Sequence, residues 1–434
     1  MPLAVLWLSC LYVNYWIFRI VQTFERIRPI AREQVTQRVF LPLAGRRVLD
    51  FTKILAGPLC TQVLADLGAE VVKVEPPGGD DTRFWPPFQD GTGTIFLSVN
   101  RNKQSIAIDL KTTEGLSLVR RLGATSDVVV ESFGPGVADR LGVGWEAMRA
   151  VNPKVVYAAI SGYGTQGPMR EGKGYDLIAQ AFCAMLSITG QADGDVARSP
   201  FSPVDQTTGL NAVIGILSAL LQVERTGEGV KLEASLFDSA VGLLGYMLQG
   251  FWQTGAEPQR RGSAHDSLCP YQAFETADAP IILGIANDAL WRCFCARTGN
   301  SQWADDARYA TGAARVAHRA DVVGKVAAIL RTRPRAEWLV LCEANGIPAS
   351  PVHSFAELTA HPHTAASGMV HHSDGFRTVA TAIRVNGERL PLRTPPPKLG
   401  EHCAQVLAGL GLGNREIRSL TEKGVVRAAT PETN

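Results

Sequence analysis

Long runs of like charge and paired cysteines are missing from this 434-residue sequence. The formal net charge is only +2, so the chain lacks the basic field that nucleic-acid binding requires. None of the 8 cysteines belongs to a C-x-x-C pair, and so few in a chain of this length do not make a disulfide scaffold. We therefore expect reduced thiols and a cytoplasmic protein. The hydrophobic content of 46% is enough for a large core and excludes a disordered chain.

The common metal and nucleotide motifs are also absent. The 8 histidines show no H-E-x-x-H and no Cys/His ligand spacing, so we expect no metal site. Neither a P-loop nor a G-x-S-x-G nucleophile turn occurs. Gly409, Gly411 and Gly413 follow a predicted helix rather than a strand, which is the wrong context for a dinucleotide-binding turn. A nicotinamide-dependent oxidoreductase is therefore not indicated.

The first 40 residues differ from the rest. Residues 2–18 carry no charge and Arg19 and Arg26 follow them, which reverses the charge order of a signal peptide. The apolar run is short for a membrane span, which takes about 20 residues. Three interpretations are open: a weak membrane anchor, an additional amphipathic helix, or sequence upstream of the native start. The last two are favoured, because the fold pattern begins at Leu43, and we do not expect membrane binding.

From Leu43 onward, predicted strands and helices alternate. The strands are continuous apolar runs, which is typical of a parallel sheet covered by helices on both faces. Predicted strands cover 47–51, 70–75, 106–108, 127–131, 154–160 and 231–236, and predicted helices cover 57–66, 113–124, 176–186, 207–225 and 235–251. We predict an α/β fold with a Rossmann-like large domain and a ligand beyond the carboxyl ends of its strands.

A second, smaller α/β domain is predicted after a change of composition at 253–262. A hairpin at 270–284 precedes helices at 289–295, 316–332 and 335–345, and helices at 403–410 and 414–423 end the chain. The predicted organisation has three parts. They are an extension (1–40) whose role the sequence does not define, a discontinuous large domain (41–252 and 352–434) and a small domain with its linkers (253–351).

Two aspartates stand at the starts of predicted helices. Asp205 precedes an apolar helix, and Asp176 begins another. The ordinary interpretation is an N-cap, in which the carboxylate accepts hydrogen bonds from the first turn, and the residues alone favour it. The alternative is a carboxylate that helix amides keep ionised and that acts as a covalent nucleophile.

Several cations and one tryptophan lie near turns of the predicted sheet: Lys73, Arg83, Trp85, Lys103, Lys111 and Arg140. Most surface cations are simply solvated, but a group of them at one sheet edge could bind phosphates. Trp85 fits either a core position or a flat surface for a purine. The residues alone leave these interpretations open.

A series of short motifs keeps one order along 43–425: V-L-D-F-T (48–52), L-G-A-E-V-V-K-V-E-P-P-G-G-D (67–80), N-R-N-K (100–103), E-S-F-G-P-G (131–136), G-Y-D (174–176) and G-I-P (346–348). Together they resemble the family III CoA-transferases, which share their fold with α-methylacyl-CoA racemases. The resemblance implies transfer of CoA from an acyl-CoA to a carboxylic acid through an aspartyl anhydride and an aspartyl-CoA thioester. It also implies an interlocked homodimer, with coenzyme A as part of the substrate and no permanently bound cofactor.

The resemblance assigns roles to individual residues. It implies that Asp205 is the nucleophile and that Asp176 supports it. The residues that it implies for coenzyme A binding are Leu55, Arg83, Trp85, Lys111, Arg140, Leu141 and Lys173. Of these, Lys111, Arg140 and Lys173 would contact phosphates.

Two departures from the family pattern concern the substrate. Leu55 and Pro76 stand where the formyl-CoA enzyme has glutamine and arginine, which argues against formyl-CoA and oxalate. The loop 261–266, which contains His265, matches the loop that shields the intermediate in the family, but it has fewer glycines and its role is left open. The donor and acceptor acids are not identified by the sequence.

A racemase and a protein that only sequesters acyl-CoA are the alternatives. Racemases carry histidine at the position of Tyr175 and glutamate at the position of Asn287, and the residues found here cannot replace that acid–base pair at neutral pH. Asp205 argues against simple sequestration, because binding alone needs no nucleophile. A transferase is therefore favoured.

Overall fold

The computed structural model describes residues 39–373 and 375–428, and the fold below belongs to the unit that begins at Leu41. Its strands, in chain order, are β1 (Arg47–Phe51), β2 (Glu70–Glu75), β3 (Phe88–Gln89), β4 (Thr92–Gly93), β5 (Lys103–Ile108), β6 (Val128–Glu131), β7 (Val156–Ser161), β8 (Val230–Ser235), β9 (Tyr271–Phe274), β10 (Ile281–Gly284), β11 (Ala349–Pro351), β12 (Val370–Ser373), β13 (Phe376–Val379), β14 (Arg384–Val385), β15 (Glu388–Arg389) and β16 (Val426–Arg427).

The helices, in chain order, are α1 (Ala56–Asp66), α2 (Thr94–Ser98), α3 (Thr113–Gly123), α4 (Val137–Arg140), α5 (Trp145–Val151), α6 (Asp176–Phe182), α7 (Met185–Ile188), α8 (Pro203–Thr226), α9 (Leu236–Leu243), α10 (Gly245–Thr254), α11 (Asp288–Arg297), α12 (Gln302–Asp305), α13 (Gly312–Ala317), α14 (Arg319–Leu330), α15 (Arg335–Ala344), α16 (Phe355–Ala360), α17 (Pro362–Ser367), α18 (Cys403–Gly409) and α19 (Asn414–Glu422). A 3₁₀ turn covers Asp81–Phe84.

One large sheet has the strand order β16–β5–β2–β1–β6–β7–β8. Its neighbouring strands are parallel except for β16, which runs antiparallel to β5. Inner strands such as β6 are buried along their whole length, as the continuous apolar runs in the sequence predict. The strand order reverses beside β1, which lies between β2 and β6, and an open parallel sheet forms a crevice at such a point.

Helices cover both faces of this sheet. On one face, α1 and α8 pack over alternate strand residues that include Val48, Val128 and Val156. On the other face, α3, α5, α18 and α19 pack over the residues between them, such as Leu49 and Val129. The predicted α/β class with a large, mostly parallel sheet is confirmed.

Helix α8 is longer at its start than the sequence predicts. It begins at Pro203, whose fixed φ suits the first helical position, so that Asp205 lies inside the first turn. Gly209 allows close packing on α1, since a Cβ there would lie 2.6 Å from the carbonyl oxygen of Ala56. The length and mean hydropathy of 1.3 would also suit a membrane span, but residues such as Ile216 are buried against the sheet.

A second sheet has the antiparallel order β11–β10–β9 and a core of its own. Helices α11, α14 and α15 contribute buried side chains to it, among them Trp291 and Trp338. The hairpin expected at 270–284 is present as β9 and β10. The boundaries of the small domain at 253 and 351 stay a prediction. The chain then returns to the large sheet, where β16 pairs with β5.

Some predicted elements differ from the structure. The helix expected at 176–186 is split into α6 and α7 by Ala184, whose φ of 62° lies in the left-handed region. The helix expected at 235–251 is interrupted at Leu244. The interpretations of the apolar stretch 2–18, and of Cys10 within it, fall outside the described residues. The seven cysteines of the described part are free thiols.

Candidate active site

A cavity of about 640 Å³ lies at the carboxyl ends of β1, β6 and β7, where the strand order reverses. Its walls come from 53–57 after β1, 131–136 after β6, parts of 160–175 after β7, and Asp205 in the first turn of α8. The sequence predicted a ligand at this edge of the sheet. The chain segments that line the cavity carry four of the predicted site residues: Leu55, Lys173, Asp205 and, at the edge described below, Arg140.

Asp205 is not an N-cap. The N-cap residue of α8 is Ser202, which has a left-handed backbone (φ 52°, ψ 60°) and whose side chain caps no N–H group. Asp205 lies three residues further on and lines the cavity. None of the described residues donates a hydrogen bond to its carboxylate. The expected cap is therefore wrong, and the carboxylate is available to a ligand.

The carboxylate of Asp176 holds the start of α8 instead. Its Oδ2 accepts hydrogen bonds from the backbone N–H groups of Val204 at 2.9 Å and Asp205 at 3.1 Å. Its Oδ1 accepts a hydrogen bond from Nε2 of Gln180, and Asp176 is buried. Asp176 begins α6 in sequence, yet it satisfies the first turn of α8, and it thereby fixes the backbone of Asp205.

The pKa of Asp205 is raised to about 7. Burial is the larger cause, because it removes water from the anion, and the negative charge of Asp176 is the smaller cause. The expectation that helix amides keep this carboxylate fully ionised is wrong, since Asp176 already occupies the N–H groups of the first turn. A carboxylate that is poorly solvated and unpaired is a stronger nucleophile than one held by hydrogen bonds.

The segment 52–58 forms the wall beside Leu55. Its backbone enters the left-handed region at Ile54, with a φ of 69°, which is unfavourable for a β-branched residue. The N–H group of Lys53 donates to Oγ of Ser132 at 2.9 Å, which ties this wall to the segment after β6. Strained backbone of this kind often lies at functional sites.

Three lysines line the cavity, Lys53, Lys173 and Lys231, together with the carboxylates of Asp81, Glu131, Asp139, Glu171 and Asp205. None of their ammonium groups forms an ion pair with a described residue. Arg140 lies at the edge, since a Cβ on the cavity residue Gly136 would be 3.1 Å from its Nη1. Each of the three unpaired ammonium groups can pair with an anionic group of a ligand.

Other residues implied for coenzyme A lie outside this cavity. Arg83 is buried, and its guanidinium donates to both carboxylate oxygens of Glu75 at 2.7 and 2.8 Å and to the carbonyl oxygen of Pro397. Leu141 packs against the core beneath α3. Trp85 and Lys111 are exposed and do not line the cavity. Their proposed contacts with coenzyme A stay predictions.

Two more of the cations that the sequence placed near turns of the sheet are buried. Lys73 and Lys103 have fully buried side chains and do not line the cavity, so they neither face solvent nor reach a phosphate there. This burial could not be predicted from the sequence, because both residues lie in strands whose neighbours are set by the tertiary fold.

Sequence reasoning missed several cavity residues, including Lys53, Glu131, Tyr157 and Lys231. Burial raises the pKa of Glu131 to about 7, even though the N–H group of Phe133 donates to its Oε2 at 2.7 Å. The signal that could have found Lys53 and Glu131 is their place at the end of a predicted parallel strand.

The residues at the two positions that define a racemase have different surroundings. Tyr175 lines the cavity, whereas Asn287 caps α11 by accepting a hydrogen bond from the N–H group of Leu290 at 2.9 Å. The loop 261–266 contacts a neighbouring loop, where the N–H group of Gly262 donates to the carbonyl oxygen of Gly190. In the part of the chain that the structure describes, no group of His, Cys, Asp and Glu side chains is arranged to hold a metal ion.

Comparison with known proteins gives consistent matches over this fold. A family model described as CoA-transferase family III matches residues 43–403. The succinate–glutarate CoA-transferase of Agrobacterium fabrum is 41% identical over 382 residues, which cover 85% of this chain and 96% of that protein. The succinyl-CoA:glutarate CoA-transferase of Mus musculus is 39% identical over 373 residues, which cover 84% and 86%.

Solved structures match as well. A CaiB/BaiF family protein from Brucella suis has a TM-score of 0.78 and 37% identity, over 85% of this chain and 99% of that one. The family match starts at residue 43, where the strand and helix pattern of the sequence also starts.

Proposed function

Because the chain belongs to CoA-transferase family III, we propose that it transfers CoA from an acyl-CoA to a carboxylic acid through covalent intermediates on Asp205. The observation that carries this proposal is the state of the Asp205 carboxylate. It lines the cavity, accepts no hydrogen bond from the described residues, and has a pKa raised by burial, while Asp176 fixes its backbone.

The proposed reaction is a sequence of acyl transfers at one carboxylate. A carboxylate oxygen of Asp205 attacks the thioester carbonyl carbon of the donor, the C–S bond breaks, and CoA leaves as the thiolate. A mixed anhydride remains. The thiolate then attacks the acyl carbon of Asp205, the donor acid leaves as its carboxylate, and an aspartyl-CoA thioester remains.

The acceptor repeats these steps in reverse. Its carboxylate attacks the aspartyl-CoA thioester and expels the thiolate, which attacks the acyl carbon of the acceptor and frees Asp205. No water and no net proton enter the balance, and exclusion of water protects the anhydride from hydrolysis. Direct exchange between a thioester and a carboxylate would lack this covalent route, which retains the acyl activation.

We propose short dicarboxylic acids as substrates. The two relatives described above are named for succinate and glutarate, and they are 41% and 39% identical to this chain. A dicarboxylate keeps one free carboxylate while the other reacts, and this anion needs a cationic partner in a partly dry cavity. Any of the unpaired Lys53, Lys173 and Lys231 can supply this partner.

We also propose a homodimer, with the interlocked arrangement as its expected form. Helices α8 and α10 expose large apolar side chains, including Ile214 (64% exposed), Tyr246 (73%) and Trp252 (67%). Large exposed apolar side chains of this kind are typical of surfaces buried by association. Sedimentation equilibrium would test the dimer.

Isotope exchange tests the proposed reaction. We expect labelled succinate to enter succinyl-CoA in the presence of the protein, and Asp205→Asn to reduce this exchange at least about a thousandfold, the order of the loss seen when a catalytic nucleophile is removed. Asp238→Asn is the matched control, because Asp238 holds the same first-turn position in α9 but does not line the cavity. It should retain exchange.

Hydroxylamine trapping locates the intermediate. With acyl-CoA present, we expect a hydroxamate on the peptide that contains Asp205, identified by mass spectrometry. Trapping on another peptide would reject Asp205 as the nucleophile. Binding of acyl-CoA without exchange would instead support a protein that only sequesters its ligand.

A further inference from the structure

The cavity wall formed by 52–58 has a backbone conformation at Ile54 that a β-branched residue does not favour. Lys53, Ile54 and Leu55 line the cavity, and Ile54 has a φ of 69°. A β-branched residue in the left-handed region persists only where the surroundings hold it there.

Two fully buried lysines contact the two ends of the wall. Nζ of Lys73 donates to the carbonyl oxygen of Thr52 at 2.7 Å, and Nζ of Lys103 donates to the carbonyl oxygen of Pro58 at 2.9 Å. Both lysines lie beneath the wall and neither lines the cavity. They reach the ligand only through the backbone that they bind.

Buried carboxylates balance the lysines. Asp80 pairs with Lys73 at 3.0 Å, and Asp50 pairs with Lys103 at 3.2 Å. Asp50 also accepts hydrogen bonds from the N–H group and Oγ1 of Thr52 at 2.8 and 2.6 Å. Burial opposes the charge of Asp50, but the two lysines and the hydrogen bonds from Thr52 and Thr61 together hold its pKa below the usual value. Burial lowers the pKa of Lys103 to about 8, so the lysine carries its proton at neutral pH and the pair is charged there.

Stability alone does not account for such a group. Well-packed apolar side chains of similar volume are often as good as a buried ion pair or better. An apolar side chain cannot donate a hydrogen bond to the carbonyl oxygens of Thr52 and Pro58, however. The lysines hold the two ends of the wall, in addition to the hydrogen bond from the N–H group of Lys53 to Ser132.

We propose that Lys73 and Lys103 are positioning residues that hold the wall 52–58 in the shape that binds acyl-CoA. The proposal rests on the proposed function in one respect, that acyl-CoA occupies this cavity. Its expected signature is a rise in the KM for acyl-CoA with little change in kcat, because the wall touches the ligand whereas Asp205 belongs to another element.

The test compares two buried ion pairs. Lys103→Met combined with Asp50→Asn removes the ammonium donor to Pro58 without leaving an unpaired charge, and the asparagine can still bind Thr52. The weaker hydrogen bond from Oγ1 of Thr61 to Pro58, at 3.3 Å, remains. Arg101→Met combined with Asp66→Asn is the matched control. The Arg101–Asp66 pair is equally buried, with a separation of 2.6 Å, but it holds residues near Thr381 and makes no contact with 52–58.

We expect the Lys103 double variant to raise the KM for acyl-CoA at least tenfold, and the Arg101 double variant to leave it within twofold at a similar loss of melting temperature. An unchanged KM in the Lys103 double variant, or an equal rise in both, would overturn the proposal. If the Lys103 double variant does not fold, Lys73→Met combined with Asp80→Asn tests the other end of the wall by the same criteria.

A third change probes the strain itself. Glycine adopts a positive φ without penalty, so Ile54→Gly added to the Lys103 double variant should lower its KM again, whereas Ile54→Gly alone should not lower the KM of the wild type. Absence of this rescue would contradict the proposal. Isotope exchange dependent on Asp205 in the wild type is measured in parallel, so failure of the proposed function is seen separately.

Discussion

Two helix starts in the large sheet region carry an aspartate at the same position and use it differently. In α9, Oγ of Ser235 accepts a hydrogen bond from the N–H group of Asp238 at 3.0 Å and donates one to its Oδ2 at 2.7 Å. In α8, the Ser202 side chain caps no N–H group, because Asp176 from α6 accepts the hydrogen bonds of the first turn. The Asp205 carboxylate accepts no hydrogen bond from the described residues. The same local sequence type gives a structural carboxylate in one helix and a reactive one in the other.

The largest expected effect of this difference is on the pH dependence of transfer. Asp205 must be ionised to attack, and its pKa is about 7, so kcat/KM should fall about tenfold per pH unit below that value. Asp176→Asn removes a negative charge beside Asp205, which lowers the pKa of Asp205. We expect the acid limb of the profile to move to lower pH, by up to roughly one unit.

Glu131 provides the control for that profile, because its pKa is also about 7 and it lines the same cavity. Glu131→Gln should leave the acid limb in place. If the limb disappears in this variant and persists unshifted in Asp176→Asn, the titrating group is Glu131 and the assignment to Asp205 is wrong.

The second effect is on stability. A carboxyl group whose pKa is raised from 3.8 to about 7 in the folded state stabilises the fold at low pH, and this contribution is lost as the pH rises through 7. Asp205→Asn does not titrate, so we expect it to be more stable than the wild type at pH 8 by roughly 1–2 kcal/mol, after a discount for partial exposure. Near pH 4 the difference should vanish.

Urea unfolding at the two pH values measures this difference in the free energy of unfolding. Asp238→Asn should behave in the opposite way and lose stability at pH 8, because it weakens the hydrogen bonds with Ser235. A destabilised Asp205→Asn would show that Asp205 is a structural residue after all.

The smallest effect concerns the serines before the two aspartates. Ser235→Ala removes the cap of α9 and should lower the free energy of unfolding by about 1 kcal/mol. Ser202→Ala removes no hydrogen bond of the first turn and should change it by less than about 0.3 kcal/mol. Equal losses in urea unfolding would mean that the two helix starts do not differ as described.

The sequence predicted much of the large sheet correctly. Strands β1 and β2 have the expected bounds, since short runs rich in apolar and β-branched residues between turn residues are typical of strands. Helix α3 starts after Thr112, whose side chain accepts from the N–H group of Gly115 as its sequence position indicates. These features depend on near neighbours in the chain, which is why they can be predicted.

The candidate site was predicted less completely. Asp205 and Leu55 were identified through the resemblance to the family, and both line the cavity. The burial of Lys73 and Lys103 could not be predicted, because a lysine is expected to be exposed unless its neighbours in the fold are known. The hydrogen bond from Lys73 to Thr52 depends on the order of the strands.

By itself the sequence determined the α/β class, the end of the sheet that holds the site, and the presence of an aspartate at the start of α8. Only the tertiary structure decided what that aspartate can do. The first turn of a helix has a few free N–H groups, and they can hold one carboxylate by hydrogen bonds. Here that carboxylate is Asp176, more than twenty residues earlier in the chain, so Asp205 is left unpaired and partly desolvated.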